Sequence, residues 1–87
     1  MKLVNKPIDV IVLNPSDGKI RPYRFKIIDE KEEDKVVKVD RVIVSNKIKK
    51  NGAHFESFRC ESNCNNKIII YELMYEYLTC KWVLYKV

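Results

Sequence analysis

Eighty-seven residues suffice for one hydrophobic core and exclude two of ordinary size, so a single domain over residues 1 to 87 is expected. Apolar residues make up 46% of the chain, too many for a disordered segment. The formal net charge of +5 hides an uneven distribution, because "DEKEED", residues 29 to 34, holds five of the twelve acidic side chains.

The opening "MKLVNKPIDVIVL" carries an apolar run from Ile8 to Leu13, interrupted by Asp9 and too short for a signal peptide or a membrane span. A cytoplasmic location is the expectation. "NPSDGK", residues 14 to 19, joins residues that fix φ, bond to nearby backbone and tolerate positive φ, so a turn is expected there. In the next run, Ile20 to Ile28, Tyr23, Phe25 and Ile27 alternate with Arg24 and Lys26. This period of two predicts a strand with rings inward and cations outward.

"DEKEEDK" is a polar break and reads as a solvated hairpin tip. In the third run, Val36 to Ser45, Val37 and Val39 fall on odd positions while Val42 and Val44 fall on even ones. A β-bulge near Asp40 and Arg41 restores one face. Asn51-Gly52 predicts a two-residue hairpin in which both central residues have positive φ, placing Lys47 across from Glu56 and Ser45 across from Phe58. The fourth run, Phe55 to Cys60, ends at the small polar stretch "ESNCNN".

The segment "IIIYELMYEYL" fits two patterns. Ile70, Leu73, Met74, Tyr77 and Leu78 make a helical stripe, whereas Ile69, Tyr71, Leu73, Tyr75 and Tyr77 make one face of a strand. Three consecutive isoleucines and three tyrosines favour the strand, because branched and aromatic side chains lose freedom in a helix. A tight connection at Thr79 and Cys80 then sets Tyr77 opposite Trp82 and Tyr75 opposite Leu84, with Trp82 to Val87 as the last run. The single alanine, Ala53, also argues against a helical domain. The fold class expected is all-β: a six-strand antiparallel meander curled into a small SH3-like or OB-like barrel.

The residues supply little chemistry. His54 has no nucleophile or base at a meaningful offset. Cys60, Cys64 and Cys80 are an odd number and read as reduced thiols; with His54 they lack the paired knuckles of a structural zinc site. Gly18 and Gly52 are isolated turn residues, so no phosphate-cradling loop exists, and "DEKEED" lacks the order of a calcium loop. No catalysis, metal or cofactor is expected.

Binding remains. Arg21, Arg24, Lys26, Arg41, Lys49 and Lys50, with Lys19 and Lys47 nearby, form a candidate polyanion-binding face if the second and third runs neighbour each other. Tyr85 is the ring expected to point outward, where a base would stack. The rival is a module that takes a protein partner in a groove or along an open strand edge, and the acidic tip would suit a basic partner. Protein binding is the favoured expectation, with single-stranded nucleic acid as the alternative.

The pattern "KPIDVI…DGKIRPYRFKI…VVKVDRV…FRCES…IYELMYEYLTCKWVLYK" is similar to a family of short bacterial proteins of uncharacterised function. It is clearest at "GKIRPYRF" and "YEYLTCKW". The resemblance implies a free-standing SH3-like barrel and brings no activity, ligand or site residue.

Overall fold

Among the residues that the computed structural model describes, 1 to 28 and 32 to 87, the chain is extended segments joined by turns, with no helix. The strands are β1 (Leu3–Leu13), β2 (Arg21–Ile28), β3 (Asp34–Lys38), β4 (Arg41–Lys50), β5 (Ala53–Cys64), β6 (Lys67–Glu76) and β7 (Lys81–Lys86). All pair antiparallel, in the order β3-β2-β1-β7-β6-β5-β4. The first strand therefore meets the last, and the free edges of the sheet lie in mid-chain, at β3 and β4. Half of the expected acidic tip, residues 29 to 31, lies outside the described residues.

Two details differ from the six-strand barrel. The third run is not one bulged strand but two, β3 and β4, which makes seven, and the ladder does not close because these two strands do not pair. The cause is a corner at Val39 and Asp40. The Val39 N–H donates to the Tyr23 carbonyl of β2 at 2.9 Å, and the next N–H, of Asp40, donates to the Glu61 carbonyl of β5 at 3.0 Å. Successive peptide groups thus serve different strands, and the chain changes partner within one residue. The phase shift seen in the valines is divided between this corner and a bulge at Ile43, where the β4–β5 register slips between Val42 and Val44.

Side chains fasten the corner. Ser62 Oγ donates to the Lys38 carbonyl at 2.5 Å and lies 2.6 Å from the Tyr71 hydroxyl. A serine has one proton to give, so the tyrosine is the donor in the second bond. Asp40 accepts the Asn63 N–H at 2.6 Å.

Segment 67 to 76 is a strand, as its isoleucines and tyrosines favour. Its connection to β7 is longer than expected, with Cys80 at φ 57° and its N–H donating to the Glu76 carbonyl at 2.9 Å. The register accordingly moves by two: Trp82 faces Tyr75 and Leu84 faces Leu73, rather than Tyr77 and Tyr75. The Asn51-Gly52 turn has φ of 52° and 82°, and Lys47 pairs with Glu56 and Ser45 with Phe58 as the turn predicts. Asn65 and Asn66, at φ 53° and 64°, make a second such hairpin inside "ESNCNN", which lets β5 run on to Cys64.

The core gathers Ile8, Phe25, Val39, Phe58, Cys60, Tyr71, Leu73, Trp82 and Leu84, drawn from both halves of the chain. Trp82 is its hub, with ring centroids 4.9 Å from Tyr75 and 5.3 Å from Phe58, while Phe25 meets Tyr71 edge-on at 5.4 Å.

Candidate functional site

The corner leaves an open seam, and the seam decides which cations meet. Because β4 does not lie beside β2, the six basic residues do not share one strand pair. Arg24 and Lys26 stand on the exposed face of β2, where Arg24 is flanked by Ile11 and Lys38, and Lys26 by Asp9 and Val36. Lys26 Nζ lies 3.4 Å from Asp34. Arg21 and Arg41 come together across the seam, lining a groove of about 700 Å³ with Lys19, Lys38 and Tyr23. Lys49 and Lys50 sit at the opposite end of β4, roughly 26 to 30 Å from Arg41 at the usual strand rise.

Within that groove the arginines are already committed. Arg21 is 3.3 Å from Asp17, and Arg41 Nε is 2.5 Å from Glu61 Oε1. Tyr23 is the residue that sequence periodicity misplaces. The β1–β2 register slips so that Pro22 faces Val12 and Arg24 faces Ile11, leaving Tyr23 unmatched at a bulge. It is half-buried rather than a core residue, and the Arg24 guanidinium lies 5.1 Å from its ring centroid. Ring and cation therefore share a surface at this one position. A proline beside the ring was the available signal, since proline within a strand marks bulges and edges.

The second feature is the outer edge of β4. Its ten residues pair with β5 alone, so the backbone groups directed away from β5 have no strand partner among the described residues. Ile43, Val44 and Ile48 are exposed along it. Arg21–Asp17, Lys26–Asp34, Arg41–Glu61 and Arg59–Glu72 are ion-paired, whereas Lys47, Lys49 and Lys50 have no carboxylate within ion-pair distance among the described residues. Lys47 faces Glu56, but that carboxylate accepts a short hydrogen bond from the Tyr77 hydroxyl. This bond is the leading cause that pushes the Tyr77 phenol up to about 12. The solvent-facing side of the sheet also has a shallow groove where Tyr85 lies with Phe55, Met74, Val83 and Ile48. Tyr85 is half-buried there, and Lys86 Nζ approaches its ring at 5.3 Å.

The thiols and the histidine lie apart. Cys60 is fully buried beside the Phe58 carbonyl, and burial pushes its thiol up to about 12, so it stays protonated at neutral pH. Cys64 is half-buried at the end of β5, Cys80 is exposed on the β6–β7 turn, and His54 is exposed beside the Asn51-Gly52 turn. Among the described residues no three His, Cys, Asp or Glu side chains gather as a metal ion would require. Glu72 is engaged by Arg59 at 2.9 Å and Glu76 by the Thr79 hydroxyl at 2.9 Å. Among the described residues no helix is long and apolar enough to cross a membrane.

No protein-family model, curated protein or solved structure matches the chain. The family resemblance in its sequence gains no support from these comparisons, and the functional reading rests on geometry.

Proposed function

We propose that the protein is a non-catalytic binding module that takes a protein partner by strand addition along β4. The observation that carries this reading is the free edge itself: ten extended residues with one row of N–H and C=O groups that no strand among the described residues pairs, beside an open seam. A segment laid against such an edge gains main-chain hydrogen bonds for affinity, while alternate side chains select its sequence. The reading takes the curled sheet as a small SH3-like barrel with one unlaced seam. It is supported by the β1–β7 pairing and by the corner at Val39 and Asp40.

A second reading, single-stranded nucleic acid, is favoured by one observation: Lys19, Arg21, Lys38 and Arg41 converge on the seam groove beside Tyr23. One experiment separates the two. The protein is used as bait in a nuclease-treated extract of its native cell, and hydrogen exchange is followed on the captured complex. The protein-binding reading expects slowed exchange at the amides of residues 41 to 50; recovery of nucleic acid alone, with β4 exchanging freely, refutes it. Titration with single-stranded DNA and RNA at low salt completes the comparison. Absence of binding to both disposes of the second reading, whereas binding that weakens steeply with salt and is lost in R21E/R41E upholds it.

A further inference from the structure

Resting on the strand-addition reading, we infer that the partner of β4 is an extended acidic segment in which carboxylates alternate with apolar residues. The charge of the edge carries the inference. β4 contains Arg41, Lys47, Lys49 and Lys50 and no acidic residue. Arg41 is satisfied by Glu61, and the three lysines of the C-terminal half have no carboxylate within ion-pair distance among the described residues, the Glu56 opposite Lys47 being engaged by Tyr77. An incoming strand next to this half meets unneutralised positive charge.

The register of β4 sorts that charge by face. Ser45 faces Phe58, which points into the core, so with a period of two Lys47 and Lys49 lie on the same side of the sheet as Phe58. Ile48 lies on the other side with Lys50, at the rim of the groove that holds Phe55, Met74 and Tyr85 beside the charged side chains of Glu72, Glu76, Lys81 and Lys86. A strand added to this edge places successive side chains on these two sides in turn. Those beside Lys47 and Lys49 are best acidic, and those beside Ile48 are best apolar.

The same charges exclude a second copy of the chain as the occupant. Antiparallel pairing of two β4 edges sets Arg41 of one against Lys50 of the other, with no acidic residue on either strand to offset the repulsion. Lysines on an edge are the usual protection against edge-to-edge pairing. Here they also select the sign of a partner.

The test uses the full chain, isotopically labelled, and two acetylated eight-residue peptides, one alternating Glu with Val and the other Lys with Val. At low salt the Glu peptide is expected to shift the amide resonances of residues 44 to 50, and the Lys peptide is expected to leave them unmoved. In K47E/K49E the preference inverts, with the Glu peptide weakened about tenfold or more and the Lys peptide now binding. Because the peptide exchange leaves the protein unchanged, the test stands even if the double variant folds poorly. Equal binding of both peptides, shifts confined to the Tyr85 groove, concentration-dependent self-association through β4, or displacement of the Glu peptide only by single-stranded nucleic acid overturns the inference. Protection of β4 by a captured protein, together with failure of the Glu peptide, overturns the acidic partner and leaves strand addition standing.

Discussion

Ser62 is the smallest of the fully buried side chains and the one with the most connections across the corner. Its hydroxyl gives its only proton to the Lys38 carbonyl and receives the proton of Tyr71, so one oxygen couples the end of β3 to β5 and β6. Removing it leaves the partly buried Lys38 carbonyl and the buried Tyr71 phenol each short of a partner. Ser62→Ala is expected to cost about 1–3 kcal/mol, and Tyr71→Phe, which leaves the Ser62–Lys38 bond intact, nearer 1 kcal/mol. Urea unfolding of both variants checks the order. An equal cost would mean that the serine is not the shared centre. The bonds were not legible beforehand: Ser62 shares the phase of Phe58 and Cys60, but the polar "ESNCNN" reads as a break that ends the strand before it. The burial of Phe25, Phe58 and Cys60 was legible, because each falls on the apolar phase of a two-residue period. Tyr23 shows the limit of that reasoning: a bulge one residue long takes a ring out of phase and sets it beside Arg24.

Hairpins were readable to the degree that their turns use recognisable chemistry. Asn51-Gly52 announces its conformation and thereby the whole β4–β5 register. Gly52 at φ +82° has open space where a Cβ would sit, so an added methyl group meets no neighbour. The cost of Gly52→Ala is therefore the left-handed backbone alone, about 1–2 kcal/mol. Thermal unfolding tests it, and an unchanged midpoint would show that the turn relaxes to another type. At the β6–β7 turn a cysteine, Cys80, takes the positive φ, and nothing in its chemistry signals a four-residue connection. The strand was foreseen and its register was two residues off. At Asn65-Asn66 two asparagines take the positive φ that glycine usually advertises, so a stretch expected as a break from residue 61 carries β5 on to Cys64.

At the scale of the molecule, antiparallel β architecture follows from composition, and the partition of the sheet does not. Which strands are adjacent depends on a corner at Val39 and Asp40, and no residue there is a glycine or a proline to mark it. That single turn of direction distributes the basic residues: Arg21 and Arg41 converge, Arg24 and Lys26 face elsewhere, and Lys49 and Lys50 lie at a distant tip. The pairing of β1 with β7 is what a meander curled into a barrel implies, although no local pattern in the two strands announces it. It has a kinetic counterpart. Every other ladder joins strands that follow one another along the chain, so β1 to β3 and β4 to β7 are two meanders able to form early from local contacts. The clasp between Ile8 and Trp82 pays its loop-closure entropy only once both exist. Ile8→Val is then expected to quicken unfolding while leaving the refolding rate nearly unchanged, a φ-value below about 0.3 in stopped-flow measurements. A value near one would instead make the meeting of the two chain ends the nucleus of the reaction.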